Sequence, residues 1–443
     1  MTWLTQPNPC PGLFYGTFAL DGLLLRLRLS GGYLNRRQGE TIATLLEQWD
    51  LEGIQVTNRA NLQIRSVPKA PSLEVYQRLQ AQGLASHNPH LDHLRNLMTS
   101  PTAGIDSQEL IDTRPLIQAL DAYIQSHPQL SGLPPKFSIG IDGGGEVGIG
   151  LRSILPWEHR PNELQFSAVR LDDGIYLHLP LGNDTQVFIA PENCVPLVAA
   201  LTKVYLDYVN IQQSTKKPRL KQILEDWGGD FYLEQVKKSL SCLLFETSGV
   251  ALPSTGGYGY LGVHPQKQRG LSYLGVSLPL GQLTAKQLRE IIKLLEKFGL
   301  EDLRLTPWQS ILIPNIPNLQ VEDFCEHLCY LGLSASDTQV DAAIVACAGK
   351  SGCSSALTYT QNHARELSEY LHHHVTLERP VNIHLTGCAK LCAQPSPAQI
   401  TLLGIEIDQD GESVEGYSVY LGDKHLGDWP VTRLPFLVQK LLS

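Results

Sequence analysis

Residues 27–64 read LRLSGGYLNRRQGETIATLLEQWDLEGIQVTNRANLQI, and residues 276–313 read VSLPLGQLTAKQLREIIKLLEKFGLEDLRLTPWQSILI. The two stretches align without a gap at one offset of 249. Gly32 falls on Gly281, Leu34 on Leu283, Ile42 on Ile291, Leu45-Leu46-Glu47 on Leu294-Leu295-Glu296, Leu51-Glu52 on Leu300-Glu301 and Thr57 on Thr306. Agreement at that density in a fixed register marks an internal duplication. Each copy reads the same way. Residues 23–29 form a β-type run, Gly31-Gly32 breaks it, residues 40–49 carry helical periodicity, and residues 53–65 alternate as a strand. The second copy repeats this over 274–280, Gly281, 285–298 and 302–313.

A longer mixed stretch follows each copy, residues 74–244 and 321–443. The expected class is α+β, in four units: a half-domain over 1–72, an α/β domain over 73–248, a second half-domain over 249–320 and a second α/β domain over 321–443. Segments 66–71, 214–218 and the glycine-rich 253–262 are the expected linkers.

The chain has 443 residues, 42% of them hydrophobic and 18% charged, enough to bury several cores. A net charge of −9 argues against a nucleic-acid partner but leaves room for a local basic pocket. No apolar run approaches the roughly 20 residues of a membrane span. The first residues, with Pro7, Pro9 and Pro11, lack the apolar core of a signal peptide. Nine cysteines in such a chain point to reduced thiols or metal ligands. A cytoplasmic location with no membrane partner is expected.

Four of those cysteines form a pattern. Cys347 and Cys353 flank Ala-Gly-Lys-Ser-Gly, and Cys388 and Cys392 flank Ala-Lys-Leu. Small neighbours (Gly349, Gly352, Gly387, Ala389) let backbone come close to an inorganic cluster and donate N–H groups to its sulfurs. Lys350 and Lys390 would offset thiolate charge. Structural zinc favours pairs two to four residues apart, so the wide first pair suits iron–sulfur better than zinc. Cys325 and Cys329 lie one helical turn apart beside Phe324 and Leu328 and read as packing, as do the isolated Cys10, Cys194 and Cys242. The run Gly143–Gly148 has dinucleotide-fingerprint spacing but no helix signal after it. His372-His373-His374 read as surface or turn.

Where the copies differ, basic residues stand in the first only. Arg26 and Arg28 alternate on a strand opposite Gly275 and Ser277; Arg59 is matched by Trp308 and Arg65 by Pro314. The fold does not demand cations there, so a polyanion-binding wall is the functional reading. Arg95 and Lys136 join it by motif, in RNLMTSP (95–101) and LPPKFS (133–138).

The cysteine pairs, the duplication and these motifs together resemble the sulfite and nitrite reductase superfamily. The resemblance implies two ferredoxin-like half-domains, each followed by an α/β domain. It also implies a 4Fe–4S cluster on Cys347, Cys353, Cys388 and Cys392. It places Arg28, Arg59, Arg95 and Lys136 at anion- and tetrapyrrole-facing positions. With Arg26 and Arg65 added from the repeat comparison, substrate contacts are expected from Arg26, Arg28, Arg59 and Arg65, and catalytic roles from Lys136 and Arg95. Within the superfamily, Cys10-Pro11-Gly12, DGLLLRLRL (21–29) and YSVYLG (417–422) resemble precorrin-3B synthases. Those enzymes are monooxygenases of cobalamin biosynthesis. They would take a tetrapyrrole substrate, dioxygen, electrons from a reduced nicotinamide system or ferredoxin, and a mononuclear non-heme iron. Ser138, where the reductases carry a second lysine, favours that reading. The alternatives are a siroheme-dependent sulfite or nitrite reductase and a non-catalytic tetrapyrrole-binding iron–sulfur protein.

Overall fold

The duplicated stretch folds twice into the same antiparallel unit. The structure, a computed structural model, describes residues 11–149, 162–171, 174–182, 185–212, 217–242, 244–246, 259–395, 398–409 and 411–442. Cys10 and most of the linkers 214–218 and 253–262 lie outside the described residues.

In the first unit, strand Gly22–Leu27 buries Leu23, Leu25 and Leu27 on one face, the period-two pattern of a half-buried strand. Helix Arg36–Gln48 follows, opened by a capping box in which Asn35 and Gln38 satisfy each other's backbone N–H. Its partner helix, Ala285–Lys297, opens with the same box built from Thr284 and Gln287. The run 53–65, expected as one strand, is two strands, Gly53–Val56 and Leu62–Val67. A turn closes them, with Thr57 N–H donating to Asn61 O at 2.8 Å and Ala60 at φ 52°. Polar Thr57 and Asn61 supply the turn chemistry that alternation alone hides.

Left-handed residues recur at the repeat offset. Asp50 and Gly299, Ala60 and Gln309, Ser66 and Asn315, and Gly31 and Leu280 all have positive φ. Such φ values are costly for non-glycine residues, so sharing them argues for one inherited backbone rather than two convergent ones.

The two units exchange strands. Strand Gln282–Thr284 of the second pairs with Gly53–Val56 of the first, and Tyr33–Asn35 pairs with Asp302–Leu305 in return. Each unit is thus a five-stranded sheet with one borrowed edge. Arg289 bridges the packed helices to Glu40 and Glu47 at 2.8 Å each. Gly53 lets the borrowed strand close in: a Cβ there would collide with the backbone of Leu283 and Thr284. Gly53→Ala is expected to destabilise by about 1–3 kcal/mol, read from the urea midpoint.

The α/β domains are also copies. In the first, parallel strands Leu97–Thr99, Ile139–Asp142 and Leu164–Leu171 continue into antiparallel Gly174–Leu181 and Thr185–Ile189. In the second, Ile344–Ala346, Ile383–Thr386 and Ile400–Gln409 run parallel, then Glu412–Leu421 and Lys424–Pro430 antiparallel. The run 143–148 is therefore the loop after a central parallel strand, the place that Gly387-Cys388 takes in the other copy. Asp106 fills it, accepting from Val147 N–H at 3.2 Å.

One described helical stretch, Pro191–Gln212, is long and apolar enough to cross a membrane. Its Leu197, Val198, Leu201 and Tyr205 are buried in the core of the first α/β domain. The histidine run, expected as surface or turn, is the exposed C-terminal end of helix Thr360–His374.

Candidate redox centre

Two neighbouring parallel strands end side by side and deliver the cysteines. Cys347 follows Ile344–Ala346 directly, and Cys388 follows Ile383–Thr386 by one glycine. Loops at the carboxyl ends of parallel strands are where such sheets place their ligands. Cys347 N–H donates to Leu385 O at 3.2 Å, and Gly387 N–H donates to the Cys347 sulfur at 3.2 Å. Gly387 cannot carry a side chain, because a Cβ would press on Ala356. The first turn of helix Thr360–His374 holds the Cys347 carbonyl through Thr360 Oγ1 (2.7 Å) and Gln361 Nε2 (2.9 Å). Leu391 sits at φ 49°, a strained turn just before Cys392.

The thiols gather. Burial raises the Cys392 thiol pKa, the nearby thiols of Cys388, Cys347 and Cys353 push it the same way, and Lys136 opposes them. Cys392 is nonetheless exposed at its outer side. Among the described residues no three Cys, His, Asp or Glu side chains close on one point as a single metal ion requires.

Both duplicated turns reach the loop that carries Cys392. Asn58 Nδ2 donates to Cys392 O at 3.3 Å, and Gln309 Nε2 to Ala393 O at 3.5 Å. The sequence reading missed these two amides; the shared Thr57/Thr306 turn was the signal available. Lys136, two residues before the buried Ser138, is exposed and close enough to Cys392 for its charge to act on that thiol. Arg59 sits in the Asn58 turn, half-buried.

The remaining basic residues divide. Arg26 is half-buried and donates to Gln63 across the sheet at 3.0 Å. Arg28, expected on the same face, is only 2% exposed and lies with Arg95 beside the buried Asp92. Burial raises the Asp92 pKa while both arginines oppose that rise. Arg95 is 6% exposed, with Nε on Asp121 at 3.1 Å and Nη2 on Gly83 O at 2.9 Å. Those two nitrogens are held by protein groups, while its Nη1 is buried without a hydrogen-bond partner among the described residues. Arg65 is committed to Asp21 and to Gly352 O. Lys350 and Lys390, expected to offset thiolate charge, pair with Glu415 at 3.2 Å and with Ser355 at 2.9 Å. Cys325 is half-buried against the half-domain core, as its packing role requires, and Cys329 is exposed.

His93 and His384 are both buried. Burial drives His93, bonded to the Leu133 backbone, down to about 3, and His384, on the strand leading to Cys388, to about 4. Both pKa values fall below the unfolded value of about 6.5, so the stability they confer is full above that pH and lost as pH falls through the folded values. The urea midpoint is expected to hold steady above about pH 6.5 and to drop steadily below it, less steeply in His384→Gln.

Relatives with this arrangement exist. Residues 264–328 match the nitrite/sulfite reductase ferredoxin-like half domain, and residues 91–151 match the nitrite and sulphite reductase 4Fe-4S domain. The chain is 31% identical to a ferredoxin–nitrite reductase of Synechococcus elongatus, over 97% of this chain and 88% of that one. The chain belongs to the nitrite and sulfite reductase family. It is also 29% identical to the chloroplastic ferredoxin–nitrite reductase of Zea mays, over 94% of this chain and 75% of that protein. The Mycobacterium tuberculosis NirA protein superposes with a TM-score of 0.76 at 22% identity, covering 95% of this chain and 80% of that one, which shows the shared fold.

Membership makes the chain a 4Fe–4S oxidoreductase with two ferredoxin-like half-domains. It overturns the monooxygenase reading. The relatives matched along nearly the whole chain are nitrite reductases, so the tetrapyrrole as substrate, dioxygen, the mononuclear iron and the place in corrin synthesis fall together. The preference drawn from Ser138, which is 1% exposed, falls with that reading.

Proposed function

We propose that this chain is a ferredoxin-dependent nitrite reductase using siroheme beside the 4Fe–4S cluster, with Cys347, Cys353, Cys388 and Cys392 as cluster ligands. The observation that carries the reading is the pair of neighbouring parallel strands that end in Cys347 and Cys388, with the Gly387 N–H on the Cys347 sulfur and Cys353 and Cys392 close enough to act electrostatically within the set. Full-length similarity to ferredoxin–nitrite reductases supports the substrate and the donor.

The side chains fit both groups. The thiol set, with an N–H aimed at the Cys347 sulfur, suits a cluster. A siroheme is ringed by carboxylates, and Arg26, Arg59 and Lys136 present cations that are at least partly accessible. The chemistry such groups supply when bound is electron delivery to the anion. This chain's own work is different. Lys136 and Arg59 hold the anion's charge, and Lys136 can pass protons to oxygens as they leave. Asn58 and Gln309 fix the loop that carries Cys392 against both half-domains.

Visible spectroscopy of the anaerobically purified protein, with iron and sulfide counts, tests this. A heme-type band that shifts on adding nitrite, with iron exceeding sulfide by one per chain, is expected. Stoichiometric zinc without sulfide would refute the ligand assignment.

A further inference from the structure

Arg65 joins two parts of the fold that the duplication alone does not bring together. It lies on strand Leu62–Val67, and its Nε and Nη2 donate to the two carboxylate oxygens of Asp21 at 2.7 and 2.9 Å. The same Nη2 donates at 2.9 Å to the carbonyl of Gly352, which is 287 positions away and immediately precedes Cys353. Asp21 sits in the hairpin turn between strands Thr17–Ala19 and Gly22–Leu27. Gly352 makes the room: a Cβ built there would collide with the Arg65 guanidinium. Side-chain exposure is only 20% for Arg65 and 24% for Asp21, so solvent screens the pair incompletely. The repeat partner of Arg65 is Pro314, so no second copy of this link is possible in the other half.

We propose that Arg65 and Asp21 are positioning residues for the cluster: they clamp the loop that carries Cys353 and set the charge beside it. The proposal rests on the four cysteines being the cluster ligands. A planar guanidinium can satisfy a carboxylate with one edge and a carbonyl with a remaining N–H, which a lysine cannot do in the same geometry. The paired charges nearly cancel at the cluster. Removing either one leaves the other uncompensated, and the two removals act in opposite directions. Arg65→Gln leaves the Asp21 carboxylate, which disfavours adding an electron, so the reduction potential falls. Asp21→Asn leaves the guanidinium on Gly352, which favours it, so the potential rises.

The test uses the holoprotein and the same protein stripped of iron. Redox titration followed by electron paramagnetic resonance should show a lower midpoint potential in Arg65→Gln and a higher one in Asp21→Asn. The double variant should return towards the wild-type value. In the stripped protein, iodoacetamide should alkylate Cys353 severalfold faster in Arg65→Gln and Gly352→Ala than in wild type, while Cys329 reacts at an unchanged rate. Midpoint shifts of the same sign in both single variants, or unmoved potentials with Cys353 alkylated at the wild-type rate, would overturn the proposal. A wild-type protein that holds no iron and sulfide would instead remove the ligand assignment. The alkylation rates need no cluster and still decide whether Arg65 holds the loop.

Discussion

On the proposed function, Cys388→Ser is expected to strip the protein of most of its iron and acid-labile sulfide and to abolish nitrite reduction, whereas Cys325→Ser and Cys329→Ser are expected to leave both intact. The effect is large because hydroxyl is a poor substitute for thiolate on iron. Losing an outer partner of a metal ligand already costs about ten- to a hundredfold in affinity, and loss of the ligand itself costs more. The controls follow from position. Cys325 packs on the half-domain core and Cys329 is exposed on the same helix, away from the strands that deliver Cys347 and Cys388. Iron and sulfide assays on the purified variants decide it. Full iron retention in Cys388→Ser would remove that residue from the ligand set.

Lys136→Ala lowers kcat/KM for nitrite by roughly a hundred- to a thousandfold while iron and sulfide stay at wild-type levels. Positioned donors to a developing oxyanion typically contribute on that scale, and positioned proton donors on a similar one. Lys136 is exposed, lies within electrostatic reach of Cys392 and is not a ligand, so its loss is expected to leave the thiols in place. Lys136→Arg separates its two duties. Guanidinium keeps the positive charge but does not release a proton at neutral pH, so KM should recover towards wild type while kcat stays low. Steady-state kinetics with reduced ferredoxin measures both. Equal recovery of KM and kcat would show that charge alone matters at this position.

Much of this was legible in the residues. The offset of 249 exposed the duplication because both copies keep their apolar faces and turns, and the structure extends it to the left-handed residues. The cysteine spacing marked the thiols that the sheet gathers. Strand exchange was not legible. Tyr33–Asn35 and Gln282–Thr284 fall between the glycine break and the helix of each copy, and nothing local says that each is a strand that pairs with the other half. The run 53–65 read as one strand because its alternation passes through the turn. The surroundings of the basic residues were not legible. Arginine absent from the second copy can serve packing as well as ligands: Arg28 and Arg95 lie near the buried Asp92, and Arg95 also pairs with Asp121. Choosing between enzymes of one family from Ser138 failed because one residue cannot outweigh similarity along nearly the whole chain.

The most direct test of the central claim is the ammonium formed per nitrite consumed by the anaerobically purified protein with chemically reduced ferredoxin. The account predicts one ammonium per nitrite, in a reaction lost with Cys388→Ser and nearly lost with Lys136→Ala. A protein carrying its full complement of iron and sulfide that consumes no nitrite under these conditions would contradict it.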